Sequence, residues 1–272
     1  MAYSVPETLY VYECRGPESP VREPAGEGYL GIWPEIPFYY LFNECRAHWE
    51  VFSWLQENGP GWTLSNTYQL EYSQWQQVAT RGQSVGPFLI QTVFGSEIID
   101  TGEGLPILLN PGLVFGSGLH ETTRGCLLAI ADLFDRYPVA SVVDLGTGTG
   151  ILALACARLG AAAVRAVDCV PLAARVARNN VLVNDQQRII DVLVAQHLGV
   201  FRQGSDLLLM NLEWPCLCQV LAEKQWLDYR WMVMSGFLRS RLPAVLELIA
   251  EQTEILFEKE LNGWITLVLG HS

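Results

Sequence analysis

The sequence predicts an α/β protein, with a mostly parallel sheet covered on both faces and a smaller α+β unit in front of it. Three observations carry that expectation. Val142–Leu145 is a short, β-branched, apolar run that breaks on Gly146, Gly148 and Gly150 into an Ala-rich helical stretch, Ile151 to Leu159. Strand-like and helix-like segments alternate after it, as parallel crossovers require. Near the end, Leu261-Asn262-Gly263 separates two apolar alternations, Glu254–Glu260 and Trp264–Leu269. Asn-Gly in that setting is the strongest short-range hairpin signal, so the last strand runs antiparallel.

The glycine turn also points to a ligand. Glycines there let the backbone turn sharply and approach a bound group closely. The next strand, Ala163–Val167, ends in Asp168, where a carboxylate can accept both hydroxyls of a ribose. The spacing is G-x-G-x-G, and Ile151 stands where a dinucleotide site has its third glycine. Asp144 lies at the tip of the first strand, where it would repel a pyrophosphate and attract an ammonium or sulfonium group. That favours S-adenosylmethionine, with Asp144, Gly146, Thr147, Gly148, Gly150 and Asp168 as cofactor residues. The competing role for Asp144 is to accept backbone N–H bonds within the loop.

Composition narrows the partners. The chain has 272 residues, 50% of them hydrophobic and 17% charged, so a large core is available and extensive disorder is not expected. A net charge of -12 disfavours a protein that tracks phosphates and suits a basic protein substrate or simple solubility. The seven cysteines include no C-x-x-C pair. Cys216 and Cys218 have no nearby histidine, so no metal site is expected and reduced thiols are. Met1–Glu7 does not resemble a signal peptide and no apolar run reaches membrane-spanning length, which points to the cytoplasm.

In chain order, Leu9–Cys14 reads as a strand and Arg15–Gly28 as a loop. Tyr29–Trp33 and Phe38–Phe42 are aromatic strands around the turn Pro34–Pro37. Arg46–Gln56 carries a helical apolar stripe that stops at Asn58–Gly61, and Trp62–Tyr72 returns to strand. Residues 1–75 form the small α+β unit, and residues 76–86 a linker that includes Thr80–Gly86. Several of the nine tryptophans fall in this unit, where large side chains filling a small core are favoured over a binding surface. Ser73–Ala79 reads as a helical connector.

The larger domain, 87–272, opens with strands Phe88–Val93 and Leu105–Leu109. A glycine-bearing loop, Asn110–Arg124, then leads into a helix over Thr122–Phe134. The Thr122 and Thr123 hydroxyls at that helix start can hold a carboxylate or line a pocket, while Ser117 or His120 can cap it. Beyond Asp168 come a helix over Pro171–Leu182 and strands Ile190–Val194 and Leu207–Met210. Asn211 falls at the carboxyl end of the latter, where open α/β sheets bind ligands. A helix over Gln219–Lys224, a strand Trp231–Ser235 stopped by Gly236 and a helix Arg241–Glu251 complete the order.

Four segments resemble the ribosomal protein L11 methyltransferase family. Phe115-Gly-Ser-Gly-Leu-His-Glu-Thr-Thr123 is similar to its F-G-T-G-x-H-x-T-T loop, and Asp144-Leu-Gly-Thr-Gly-Thr-Gly-Ile151 to its cofactor loop. Asn211-Leu212 and Ser235-Gly-Phe-Leu238 are similar to its segments after the fourth and fifth strands. The resemblance implies a class I methyltransferase (Rossmann-like) seven-stranded sheet with an antiparallel last strand. It implies S-adenosylmethionine as cofactor and N-methylation of lysine or amino groups, on ribosomal protein L11 or another basic protein. It further implies that Phe115 and Thr123 close over the cofactor, that Gln196 lies near the adenine, and that Asn211 borders the cofactor and orients the incoming amine as the catalytic residue. Residues 1–75 match more loosely and are expected to recognise the substrate. Glu213-Trp214-Pro215 is bulkier than the family's usual segment there. A monomer with no membrane or direct nucleic-acid partner is expected. Two other readings remain at this stage: a non-catalytic S-adenosylmethionine-binding module, and a nicotinamide-dependent oxidoreductase, against which Asp144 and the terminal hairpin argue.

Overall fold

Alternation of aromatic and β-branched residues builds the first sheet. In the computed structural model, which describes residues 8–17, 20–71, 82–92, 103–110, 120–201, 205–249 and 253–271, the chain divides into two units, Met1–Ala79 and Thr80–Ser272. The first unit contains β1 (Thr8–Arg15), β2 (Tyr29–Glu35), β3 (Phe38–Asn43), α1 (His48–Asn58) and β4 (Thr63–Glu71). Its strands pair antiparallel in the order β2-β3-β1-β4. Tyr12, Tyr39, Leu41, Val51, Trp54 and Trp62 form its core. Trp54 and Trp62 meet edge to face at 5.0 Å, and Trp62 lies 4.8 Å from Tyr39. These two tryptophans are core, as packing favours. Trp49 is not: it is 82% exposed.

The second unit begins with a three-stranded sheet of β5 (Gln83–Val85), β6 (Phe88–Thr92) and β7 (Leu105–Leu109). Residues 83–85 were expected within a linker and are instead a strand antiparallel to β6. Gly86, at φ 55°, turns the chain back on itself, and Val85 is buried in the main core. There follow α2 (Glu121–Arg136), β8 (Ser141–Leu145), α3 (Ile151–Arg158), β9 (Ala163–Asp168), α4 (Pro171–Val183) and β10 (Ile190–Val194). Then come β11 (Leu207–Asn211), α5 (Trp214–Glu223), β12 (Trp231–Leu238), α6 (Leu242–Ile249), β13 (Glu254–Leu261) and β14 (Trp264–Gly270).

These last seven strands form one sheet in the order β10-β9-β8-β11-β12-β14-β13. The first five are parallel, and β14 runs antiparallel to both of its neighbours. Strand residues alternate between the two faces. Val142, Leu207 and Leu209 face a core built with Leu127 and Ile130 of α2 and Ala153 of α3. Val143, Leu208 and Met210 face Leu217 and Leu221 of α5 and Val245 of α6. Burial on both sides explains why these strands read as unbroken apolar runs.

Two boundaries differ from the expectation. Helix α5 begins at Trp214, before the predicted Gln219, because Pro215 sits in the first turn where no backbone N–H is required. Gly236 does not stop β12. It sits at φ 99° within a register shift between Met234 and Phe237, so it bends the strand and pairing with β14 resumes beyond it. The Asn262-Gly263 turn has positive φ at both residues, 49° and 83°, as a two-residue hairpin requires. The Ser73–Ala79 connector and residues 111–119 of the glycine-bearing loop lie outside the described residues. No helix among the described residues is long and apolar enough to cross a membrane.

Helix α4 ties the small sheet to the large one. Asn184, buried, accepts from Leu108 N at 3.0 Å and donates Nδ2 to Leu108 O at 2.6 Å. Replacing it by leucine keeps the branched shape, with bulkier methyl ends, but leaves both backbone groups without that partner. Asn184→Leu should lower stability by about 2–4 kcal/mol. The expected reading is a lower denaturant midpoint with an unchanged slope; an unchanged midpoint would refute this role.

Candidate functional site

The chain steps outward from β8 through β9 to β10, then returns to the other side of β8 for β11 and β12. The connections leaving β8 and β11 therefore part in opposite directions and open a crevice at their carboxyl ends. The Gly146–Gly150 loop follows β8, Asp168 ends β9, and Asn211 ends β11 opposite Ser235 of β12.

The loop is held by acids at both sides. Gly146, Gly148 and Gly150 sit at φ 72°, 56° and 84°, where a side chain is strained. Asp144 Oδ2 accepts from Thr147 Oγ1 at 2.6 Å and from Ala153 N at 3.2 Å. Asp168 Oδ2 accepts from Gly148 N at 3.0 Å, and its Oδ1 from Val170 N at 2.9 Å. Asn180 Nδ2 donates to Thr149 O at 2.8 Å, while its Oδ1 accepts from Asn110 N at 2.8 Å. Asp144 thus binds the loop through the Thr147 hydroxyl and the following helix through the Ala153 amide, rather than through backbone N–H groups of the loop as the competing reading held.

The electrostatics explain what else it can do. Asp144 is 1% exposed. Burial pushes its pKa up to about 6, the Thr147 hydroxyl and Ala153 amide pull it back, and the Asp168 charge adds to the rise. Burial also raises Asp168, opposed by the amides of Val170, Gly148 and Cys169. Neither acid forms an ion pair among the described residues. Two neighbouring buried acids without a cation make a site that a positive ligand relieves and a diphosphate aggravates. The donor set therefore fits S-adenosylmethionine.

On the other side of the crevice, Asn211 Nδ2 donates to Thr123 Oγ1 at 3.3 Å. His120 caps α2: its Nδ1 accepts from Thr122 N at 3.3 Å and lies 2.8 Å from Thr122 Oγ1. Leu212 is held between two glycines. A Cβ on Gly146 would lie 2.3 Å from Leu212 Cδ2, and one on Gly236 1.8 Å from the Leu212 carbonyl oxygen. The backbone contact makes Gly236 necessary for Asn211-Leu212 to occupy this place, whereas at Gly146 the Leu212 methyl can turn aside and the positive φ is what favours glycine. The Arg241 guanidinium lies over the Trp214 ring at 5.4 Å, which anchors the bulky segment after Asn211.

Thr123, Asp144, Gly146, Thr147, Gly148, Gly150, Asp168 and Asn211 thus come from α2 and the carboxyl ends of β8, β9 and β11. Gln196 lies exposed just past β10, and Phe115 falls outside the described residues. Sequence reasoning missed Asn180 and the roles of Leu212 and Gly236. Asn180 had a signal: it continues the stripe Ala173, Ala177, Asn180, Asn184, a polar residue on the buried face of a helix.

A glycine loop between two acid-tipped parallel strands, in a seven-stranded sheet with one antiparallel strand inserted beside its edge, defines a class I methyltransferase fold. Residues 73–271 match the family described as ribosomal protein L11 methyltransferase (PrmA). The ribosomal protein L11 methyltransferase of Thermoanaerobacter sp. (strain X514) is 36% identical over 174 residues, 63% of this chain and 56% of that protein. That of Heliobacterium modesticaldum is 28% identical over 210 residues, 76% of this chain and 66% of the relative. The crystal structure of the ribosomal protein L11 methylase from Lactobacillus delbrueckii subsp. bulgaricus superposes with a TM-score of 0.61 at 25% identity, covering 71% of this chain and 99% of that one. The chain belongs to the ribosomal protein L11 methyltransferase family, and its matches span 56–66% of the length of these curated relatives.

The Asp144 carboxyl is protonated more readily folded than unfolded, so its contribution to stability is present in acid and is lost as pH rises through about 6. Asn at this position keeps an acceptor and removes the charge. Asp144→Asn should stabilise the ligand-free protein at pH 8 by about 3 kcal/mol and give little gain near pH 4. Melting curves of both proteins at the two pH values test this; an equal gain at both would refute it.

Proposed function

We propose that this chain transfers a methyl group from S-adenosylmethionine to a lysine or amino group of a protein, with ribosomal protein L11 or another basic protein as acceptor. The observation that carries this reading is the buried acid at the mouth of the sheet, Asp144, which forms no ion pair among the described residues. When bound, the cofactor supplies an electrophilic methyl group on a positively charged sulfur. Asp144 and the Gly146–Gly150 loop hold its amino-acid end, Asp168 its ribose hydroxyls and Gln196 its adenine, with Phe115 and Thr123 covering it.

Asn211 is assigned to the incoming amine. Its amide N–H is engaged by Thr123, which leaves the amide oxygen to accept an N–H of the amine and aim the nitrogen lone pair. The amine must arrive neutral, whereas a free lysine titrates at about 10.4. Leu212 and Trp214, next to Asn211 and packed against the apolar core, provide surroundings that disfavour the charged form. Because a sulfonium is already a good leaving group, positioning and exclusion of water carry most of the rate. We assign substrate recognition to the first unit and transfer to the second, in a monomer working in the cytoplasm without membrane or nucleic-acid partners.

Thermal shift with S-adenosylhomocysteine and with NAD tests the cofactor: the former should raise the melting temperature and the latter should not. Asn211→Ala should retain S-adenosylhomocysteine affinity and lose about a hundredfold in label transfer to L11. Wild-type turnover in that variant would remove Asn211 from the mechanism. Cofactor binding requires Asp144 ionised, so affinity should fall about tenfold from pH 7 to pH 5. Titration calorimetry should show this slope in the wild type and its loss in Asp144→Asn.

A further inference from the structure

Helix α1 has an apolar stripe that its own unit does not cover. Val51, Trp54 and Leu55 are buried. Trp49 and Phe52, three residues apart and so on one side of the helix, are 82% and 55% exposed. Trp49 lines a cleft of about 300 Å³ with Arg22, Glu50, Ser53, Trp54 and Glu57. The opposite wall is anchored: Trp54 Nε1 donates to Arg22 O at 2.7 Å, Val21 N to Asn58 Oδ1 at 2.8 Å, and Arg22 Nε to Glu57 Oε2 at 2.9 Å. Glu57 is thereby neutralised by Arg22. Glu50 forms no ion pair among the described residues.

Charge selects the occupant. Residues 1–79 contain ten glutamates and three arginines, with no aspartate or lysine, so more than half of the chain's net charge of -12 lies in this unit. That field repels nucleic acid, an anionic bilayer and a second copy of the chain, and attracts a basic segment. A tryptophan face beside an unpaired carboxylate suits one kind of side chain. The alkyl stem of a lysine or arginine lies along the ring and its cationic head meets the acid.

We infer that the Trp49–Glu50 cleft docks a lysine or arginine side chain of a basic protein segment. This rests on the reading of the chain as a protein methyltransferase. The cleft lies in the part of the chain that precedes the family match at residue 73. Docking here is separate from cofactor binding and acts on capture of the protein substrate.

Octalysine titrated calorimetrically into the full chain tests the inference, with octaglutamate as control. Binding of octalysine alone should be seen, weaker at high salt, and weakened about fivefold by Trp49→Ala and by Glu50→Gln. Trp49 is exposed, so its removal should leave the melting temperature unchanged. Absence of octalysine binding, or equal affinity in the wild type and both variants, overturns the proposal. Label transfer to L11 by the same preparations separates the two readings. Unmodified L11 with intact, Trp49-dependent octalysine binding counts against the transferase and leaves the docking cleft standing. Methylated L11 with a KM indifferent to Trp49→Ala counts against the cleft alone.

Discussion

A carboxylate sealed at the end of β8 constrains everything around it. Among the described residues Asp144 forms no ion pair, and its burial is unfavourable whenever it is charged. Its bonds to Thr147 and Ala153 offset part of that cost and, in doing so, bend the loop and start α3. Asp168 does the same from β9 through Gly148. The acids that suit a positive ligand are therefore also the groups that shape the loop, so the charge of the crevice and the loop geometry are set by the same side chains.

The rest of the second unit keeps that arrangement in place. Apolar clusters on both faces of the seven-stranded sheet hold the strand ends. Asn180 joins the loop carbonyl of Thr149 to Asn110, the last described residue before the motif loop. On the far side, the terminal hairpin meets the start of α2. Asn262 Nδ2 donates to Glu121 at 2.8 Å and the Trp264 ring lies 5.0 Å from the His120 ring. The hairpin closes the sheet and also braces the helix that carries Thr123. Gly236 contributes by what it lacks, since the Leu212 carbonyl occupies the space a side chain would take.

The two units divide the chemistry by charge and by burial. The second holds buried acids in a crevice among apolar layers, suited to a small cationic ligand. The first carries most of the net negative charge around a small aromatic core and, among its described residues, leaves Trp49 uncovered. The acidic field of the first unit and the buried acids of the second are thus two separate negative features, one on the surface and one in a crevice.

Sequence alone determined what short-range chemistry controls. The glycine loop, the acids at 144 and 168, the Asn-Gly turn, the His120 cap and the apolar strands were legible because each depends on neighbours within a few residues. Only tertiary structure decided the contacts made across long separations. Thr123 meets Asn211 at a separation of 88 residues, Asn110 meets Asn180 at 70, and β14 inserts between β12 and β13. The strand at 83–85, the early start of α5 and the bend at Gly236 were misread for the same reason. Local signals such as a glycine or a proline mark a change of direction. Whether the chain stops there or continues depends on what packs against it.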